Sequence, residues 1–140
     1  MIKKQPEAPT QTEQPEPSLD DIFRSWGAFY QIDPAILKAI ATVESGLDPS
    51  AMGDGGASFG LMQVQPATAR QFIELENDTD LLDPNVNIQA GGAFISFLID
   101  RYGLEGAIQA YNLGETKYRK GLTSPDYLSK VQNKIETVQI

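Results

Sequence analysis

Residues 33–46 read DPAILKAIATVESG, and this stretch carries the clearest helical signal of the chain. Asp33 is a residue type that caps helices, and Pro34 follows at the first helical position, where proline is well tolerated. Gly46 is typical of the residue that ends a helix, since glycine adopts a left-handed backbone conformation without strain. The sequence therefore predicts one helix with defined ends inside this segment.

Glu44 stands out because it falls on the apolar face of that helix. Leu37, Ile40 and Glu44 have the i, i+3, i+7 spacing of a single helix face, which directs a carboxyl group toward the core. Burial and the negative end of a helix dipole both disfavour the ionised form, so they raise a carboxyl pKa. A carboxylic acid that stays protonated near neutral pH can protonate the leaving oxygen of a glycoside. The ordinary alternative is a solvated glutamate at a helix end, and this residue alone does not decide between the two.

Helical patterns also flank this segment on both sides. Ser18 and Asp21 have the spacing of a capping box. Residues 53–60 form a glycine-rich loop, and residues 61–65 are predicted to be a short strand or turn. Further helices are predicted from Pro66 to about Glu76, Asn87 to Tyr102, Gly106 to about Asn112 and Asp126 to Ile135. The prediction is a mostly α single domain over residues 19–140, with a short β or loop element near Glu44.

The composition excludes several kinds of active site. The 140 residues include no cysteine and no histidine, which rules out disulfides, thiolate or histidine metal sites, cysteine nucleophiles and Ser-His-Asp triads. Proton transfer is then left to carboxylates, lysine or tyrosine. The formal net charge of −8 disfavours nucleic-acid binding by a broad basic surface. No EF-hand spacing occurs either, so we expect no calcium site of that kind.

The first 18 residues, MIKKQPEAPTQTEQPEPS, differ in kind from the rest of the chain. Their proline, glutamate and glutamine content cannot form a core, so we expect a disordered or extended tail. Lys3 and Lys4 are similar to the start of a signal peptide, but no apolar segment follows them, and no Sec signal is visible. No apolar run approaches the roughly 18–20 residues of a membrane span.

Two further stretches contain candidate binding residues. Gly60-Leu61-Met62-Gln63 follows the glycine-rich loop, and Gln63 brings a donor and an acceptor to a place where glycines permit close backbone approach to a ligand. Tyr111 and Asn112 lie in an apolar run, where a buried tyrosine can direct its hydroxyl into a cleft. Taken singly, the loop could be a plain connector and Tyr111 a core residue.

Taken together and in order, these motifs resemble those of lytic transglycosylases. The resemblance covers about residues 28–135 and is to the soluble-type catalytic domain, which is related to goose-type lysozyme. Gln65 and Leu113 depart from the usual pattern, away from Glu44. The resemblance implies a lysozyme-like α fold with a long saccharide groove. The matching segments are ESG at 44–46, GASFGLMQV at 56–64, PATA at 66–69, NIQAGG at 87–92, AIQAYNLG at 107–114 and DYLSKV at 126–131.

The resemblance implies an enzyme that cleaves peptidoglycan between N-acetylmuramic acid and N-acetylglucosamine and that requires no cofactor and no metal. Glu44 would protonate the glycosidic oxygen and then take a proton from the muramoyl C6 hydroxyl, which gives a 1,6-anhydromuramoyl end without water. The other site residues that the resemblance implies are Ser45 as support for Glu44, Met62 and Gln63 along the cleft beside the cleavage point, Tyr111 near Glu44 or the substrate's acetamido group, Asn112 as a contact to sugar or loop, and Tyr127 closing the site.

Two other functions remain open. Hydrolysis, as in a goose-type lysozyme, would use a water that a second carboxylate helps to position. Asp54, in the loop ten residues after Glu44, is the candidate for that carboxylate. The second alternative is an inactive wall-binding module of a larger cell-wall machine, although the presence of Glu44 argues against it.

The implied partner is the peptidoglycan glycan strand, bound by a monomer, and the implied place of action is the cell wall. Residues 117–134 hold five basic residues and one acid, so this face could meet the carboxylates of wall peptides. A solvated surface explains these charges equally well. A small wall-cutting domain without a visible signal peptide favours a phage lysin or virion-associated enzyme over a secretion-system component or an excised domain.

Overall fold

The first helix begins where its capping residues predict. The computed structural model of the protein describes residues 15–140, so residues 1–14 of the predicted tail lie outside the described residues. Helix α1 spans Leu19–Tyr30. The Ser18 hydroxyl accepts from the backbone N–H of Asp21, while the Asp21 carboxylate accepts from that of Ser18. The predicted capping box is confirmed.

Helix α2, Pro34–Ser45, has both of its predicted ends. The Asp33 carboxylate accepts from the N–H of Ala35 at 2.9 Å and so satisfies a donor that the first turn leaves free. Gly46 follows the helix with a left-handed φ of 65°. These two residues fix the length of α2 and thereby the position of Glu44 in its last turn.

The glycine-rich loop folds as a small hairpin. Strands β1 (Met52–Gly53) and β2 (Ser58–Phe59) pair antiparallel, and one turn of 3-10 helix, Asp54–Gly56, joins them. Residues 61–65 form a turn in which one residue bridges back to β2. The predicted β or loop element is therefore a hairpin followed by a tight turn.

Helix α3, Pro66–Ala69, is a single turn, whereas the sequence predicted a helix as far as Glu76. That prediction was too long. The N–H of Asn77 donates to the Asp80 carboxylate at 3.1 Å, where a second 3-10 helix, Asp78–Leu82, begins. Asn and Asp side chains that bind nearby backbone groups favour caps and turns over helix interiors. The connector therefore forms turns instead of extending α3.

Helix α4, Pro84–Leu113, bends sharply at Gly103. Gly103 has φ 76° and ψ 170°, a conformation that is strained for any residue with a side chain. Helical geometry is therefore interrupted at Gly103, and the two parts of α4 on either side of it correspond to the two helices that the sequence predicts. Helix α5, Glu115–Arg119, was not predicted, because five residues are too few to show periodicity. The final helix, α6, spans Pro125–Thr137.

Helix α4 forms the centre of the fold and packs against α1, α3, α5 and α6, while α2 packs against α1 and α6. The contact between α2 and α6 brings the end of α2, with Glu44, beside Tyr127. Within residues 15–140, none of the helices combines the length and apolar character that crossing a bilayer requires. The largest fully buried apolar side chains are Phe23, Leu37, Ile40, Leu61, Met62, Leu81, Ile88, Ile95, Leu98, Ile108 and Val131.

Candidate active site

Glu44 faces a groove of about 280 Å³, which we call the Glu44 groove. Besides the end of α2, the groove is lined by the hairpin, the turn that follows, α3, and both the middle and the C-terminal end of α4. Segments far apart in sequence therefore meet at one carboxyl group. Side chains that line the groove with Glu44 are Asp54, Ser58, Gln63, Phe94, Tyr111 and Asn112.

The pKa of Glu44 is raised above its usual value of 4.5. Burial of the carboxyl group is the largest cause, and the negative charge of Asp54 adds to it. The Tyr127 hydroxyl acts in the opposite direction, because it donates to Oε2 of Glu44 at 2.6 Å and favours the carboxylate. Burial prevails, so Glu44 is suited to hold a proton and to release it to a ligand.

Two tyrosine hydroxyls lie close to this acid. Burial and the Glu44 charge raise the pKa of both Tyr111 and Tyr127 well above the usual value of 10, so both remain protonated donors. Tyr127 donates to Glu44 itself, from α6. Tyr111 donates to the backbone carbonyl of Met62 at 2.7 Å. Tyr111 therefore fixes the turn after the hairpin while its ring borders the groove.

Gln63 lines the groove, but its amide is engaged within the protein. Its Nε2 donates to the carbonyl of Gly60 at 2.9 Å and to that of Ala51 at 3.2 Å. A side chain at Gly53 would collide with the Gln63 amide oxygen. Gln63 therefore joins the hairpin to the turn, instead of offering its donors to a ligand as the sequence suggested.

The Met62 side chain lies in the core and does not line the Glu44 groove. It is fully buried, and a methyl group at Gly91 of α4 would meet its sulfur at 2.5 Å. The apolar side chain points into the core because its turn packs directly on α4. The Met62 side chain is therefore not among the groove-lining groups, while its backbone carbonyl accepts from the Tyr111 hydroxyl beside the groove.

Ser45 and Asn112 hold backbone segments around the groove. The Ser45 hydroxyl lies 2.7 Å from the carbonyl of Leu61 and accepts from the N–H of Asp48 at 3.1 Å. This ties the end of α2 to the turn after the hairpin. Asn112 donates to the Ser124 hydroxyl at 2.7 Å and so contacts the loop that precedes α6.

Asp54 is the second carboxylate of the groove. It has a left-handed φ of 52°, which Asp tolerates better than most residues. The hydroxyl of Ser58 donates to Asp54 Oδ2 at 2.5 Å and is almost fully buried. No sequence pattern marks Ser58 as a site residue, since serine is common in glycine-rich loops. Across residues 15–140, no three acidic, His or Cys side chains group in a way that could hold a metal ion.

Asn87 holds the backbone that surrounds the Glu44 groove. In the sequence it stands out only as part of the motif NIQAGG. It is fully buried in α4. Its Nδ2 donates to the carbonyls of Phe59 at 2.7 Å and Leu81 at 2.8 Å, and its Oδ1 accepts from the N–H of Met62 at 2.8 Å. One amide thus joins the hairpin, the turn and the second 3-10 helix. A polar residue within an apolar helix face is the signal that could have revealed it.

Glu44→Gln is expected to raise the melting temperature near neutral pH. Because the folded-state pKa of Glu44 is raised, its contribution to stability is fully present below the unfolded-state pKa and is lost as the pH rises through the folded-state pKa. Glutamine does not ionise and avoids that loss. Thermal unfolding of both proteins across pH should show the difference vanish in acid. A lower Tm for the variant near neutral pH would show instead that the Tyr127 hydrogen bond outweighs burial.

Comparison with known sequences agrees with this geometry. Residues 21–133 match the family described as the Transglycosylase SLT domain. The chain is 34% identical over 109 residues to the transglycosylase of Enterobacteria phage PRD1, which covers 77% of this chain and 39% of that protein. It is 30% identical over 111 residues to the soluble lytic murein transglycosylase of Escherichia coli K12, covering 74% of this chain and 17% of that protein. The chain thus spans well under half the length of these relatives.

Solved structures show the same fold. The crystal structure of the 70 kDa soluble lytic transglycosylase of Escherichia coli matches with a TM-score of 0.65 and 26% identity, over 82% of this chain and 19% of that one. An inactive glutamate-to-glutamine mutant of the lytic transglycosylase Slt of Pseudomonas aeruginosa matches with a TM-score of 0.64 and 26% identity, over 84% of this chain and 22% of that one. The predicted lysozyme-like, mostly α fold is confirmed. Because the family match extends over residues 21–133, most of this chain, the chain belongs to the Transglycosylase SLT domain family.

Proposed function

We propose that this chain is a peptidoglycan lytic transglycosylase domain in which Glu44 carries out both proton transfers. Protonated Glu44 gives its proton to the glycosidic oxygen while the bond from that oxygen to the muramoyl anomeric carbon breaks. The resulting carboxylate takes the proton of the muramoyl C6 hydroxyl as that oxygen bonds to the anomeric carbon. Glu44 ends protonated again, the new chain end is a 1,6-anhydro ring, and no water is consumed.

The observation that carries this proposal is the environment of Glu44. A carboxyl group in a groove, with its pKa raised by burial, keeps its proton to a higher pH than a solvated glutamate does, which is what a general acid requires. The Tyr127 hydrogen bond meets a further requirement, because it stabilises the carboxylate that remains after the proton leaves. One residue is therefore suited to act as acid and then as base.

The remaining predicted site residues are proposed to act in two ways. Tyr111, Tyr127 and Asn112 border the substrate, while Ser45 and Gln63 hold the backbone that shapes the groove. This division follows from their contacts, because the Ser45 hydroxyl and the Gln63 amide nitrogen are hydrogen-bonded to backbone carbonyls. Met62 contributes through its backbone carbonyl.

The names of the relatives support this assignment. Those from PRD1 and Escherichia coli are a transglycosylase and a soluble lytic murein transglycosylase, and a glutamate-to-glutamine mutant of the Pseudomonas enzyme is inactive. The Escherichia coli enzyme has also been solved with bulgecin A. By extension we propose that residues 19–140 form a monomeric catalytic domain that binds the glycan strand at the cell wall, in a phage lysin or virion-associated enzyme.

Hydrolysis is the second candidate, and the position of Asp54 favours keeping it. Asp54 lines the same groove as Glu44, and Ser58 holds its carboxylate by a short hydrogen bond. Such a carboxylate could orient an attacking water. An inactive wall-binding module is less consistent with the site, because a buried acid with a tyrosine partner is not needed for binding alone.

Asp54→Asn is expected to keep activity within about tenfold of the unchanged protein, a loss smaller than that from removing a general base. The proposed nucleophile is the substrate's own C6 hydroxyl, so no residue has to position a water. Mass spectrometry of the murein products of the unchanged protein should show ends lighter by one water than reducing ends. If the products instead carried reducing ends and the Asp54→Asn variant were inactive, the reaction would be hydrolysis.

A further inference from the structure

A second groove, of about 530 Å³, lies along α4, and we call it the aromatic groove. It is bounded by the end of α1, the segment after α3 and the middle of α4. Phe29 contributes a ring that is 71% exposed, and the amide of Gln89 and the hydroxyl of Ser96 lie among the rings. Exposed apolar surface beside polar groups is typical of a place where another segment of protein binds. The rings of the groove are those of Phe29, Tyr30, Phe72 and Phe97.

The groove extends along α4 in the direction in which α1 points. The Trp26 indole of α1 donates to Asn85 of α4 at 2.9 Å. The Tyr30 hydroxyl, one turn later in α1, donates to the carbonyl of Gln89, one turn later in α4, also at 2.9 Å. The two helices therefore run in the same direction where they touch. The groove begins beside the end of α1 at Gln89 and continues to Asp100, a rise of about 16 Å along α4.

Residues 3–9 of the chain, KKQPEAP, place a base and two prolines at intervals of three. Proline favours the polyproline II helix, which has three residues per turn and a rise of about 3.1 Å per residue. In that helix Lys3, Pro6 and Pro9 share one edge, which is about 19 Å long. Proline-rich segments of this kind bind in grooves lined by aromatic rings. The length of this edge is close to the length of the aromatic groove.

The charges at the far end of the groove are opposite to those of this segment. Lys3 and Lys4 are the only basic residues among residues 1–18. Asp100 is exposed, and none of the ion pairs among residues 15–140 includes it. Its neighbour Arg101 is paired with Glu115 at 3.4 Å. A lysine that reaches this end of the groove therefore finds a carboxylate with which to pair.

The chain between the segment and α1 is long enough for this contact. Residues 15–18 are exposed and precede α1 without belonging to a helix or strand. From Ser18 the chain has to pass along the 12 residues of α1, a rise of about 18 Å. Residues 10–18 can span about 28 Å in an extended conformation. Pro9 can therefore reach the end of α1 near Gln89, which leaves Lys3 at the Asp100 end.

We propose that the aromatic groove binds residues 3–9 of this same chain, with Pro6 and Pro9 against the aromatic rings and Lys3 beside Asp100. The amide and the hydroxyl among the rings can donate hydrogen bonds to backbone carbonyls of the bound segment. Because a short connection joins the segment to the domain, its effective concentration at the groove is on the order of millimolar. A weak contact is then enough to keep the groove occupied. This contact is independent of the proposed reaction.

A nitroxide spin label tests the proposal in the complete chain. The protein has no cysteine, so Thr10→Cys provides a single site for the label, next to the segment. The NMR signals of the Ser96 and Phe97 amides should fall to less than about half of their intensity after the nitroxide is chemically reduced, because the segment is bound most of the time. Equal intensities at both amides before and after reduction would overturn the proposal.

Variants of the groove identify the contact. In labelled protein that also carries Phe29→Ala and Asp100→Asn, most of the lost signal at Ser96 and Phe97 should return, because ring surface and charge are both removed. Both residues are exposed, so the fold should be unaffected. Leu122→Ala is the control, since Leu122 is also exposed and lies outside the groove. If the signal loss persisted in the double variant, the segment would bind elsewhere and the proposal would be wrong.

A mixing experiment shows whether the segment comes from the same copy of the chain. Protein that is enriched in ¹⁵N and has no nitroxide is mixed with nitroxide-labelled protein that has no ¹⁵N. The Ser96 and Phe97 signals should keep their intensity in this mixture, because each groove is occupied by its own segment. Signal loss in the mixture would show that the groove binds the segment of a second copy, and the proposal would then be overturned.

Discussion

Glu44→Gln is expected to slow murein cleavage by at least about 10²–10⁴-fold while leaving the fold intact. Glutamine has nearly the same shape and keeps an oxygen that can accept from Tyr127, so the packing at the end of α2 is preserved. It has no proton to give to the glycosidic oxygen, and as a neutral amide it cannot take one from the C6 hydroxyl. The loss of turbidity of purified murein measures the rate, and circular dichroism checks the fold.

The matched control for this variant is Glu136→Gln. Glu136 is exposed on α6, so the same chemical change there removes a solvated charge. Its murein-cleaving rate should equal that of the unchanged protein. If Glu44→Gln kept more than about a tenth of the activity, Glu44 would not be the essential acid.

Asn87→Ala is expected to lower the free energy of unfolding by about 2–4 kcal/mol, the largest stability effect we predict. The change leaves the N–H of Met62 and the carbonyls of Phe59 and Leu81 without the partner they share. Because the Asn87 side chain is fully buried, the small alanine gives water little access to these groups. Urea denaturation monitored by circular dichroism measures the change.

Asn133→Ala provides the comparison for that measurement. Asn133 is also helical, but it is exposed on α6, so its replacement should stay within about 0.5 kcal/mol of the unchanged protein. A loss below about 1 kcal/mol in Asn87→Ala would mean that water or a shifted backbone satisfies the three groups. Asn87 would then be dispensable for joining the hairpin to α4.

Local signals predicted the elements whose ends depend on one or two side chains. Ser18 and Asp33 cap α1 and α2, and Gly46 ends α2, because each acts on backbone groups within a few residues. The face of α2 that carries Glu44 could be predicted for the same reason, since helix geometry alone relates it to Leu37 and Ile40. The motif order then pointed to Tyr127, which the structure places on the acid.

The orientation of side chains in the turn after the hairpin could not be predicted in the same way. Met62 and Gln63 are neighbours in sequence, yet one is buried against α4 and the other lines the groove. Which of them points inward depends on how the turn rests on α4, and Asn87 fixes that through contacts 25 and 28 residues away in sequence. No periodic pattern encodes such contacts, because a tight turn has neither helical nor strand repeat.

The hydrogen bond between Glu44 and Tyr127 joins residues 83 positions apart. A chain under synthesis completes α2 long before α6 has been made, and until then nothing from α6 covers this acid. Glu44 at that stage lacks the full burial that raises its pKa in the folded domain. The raised pKa therefore arises only with the finished domain, and a C-terminally clipped copy keeps Glu44 in its sequence without the surroundings that Tyr127 and α6 complete.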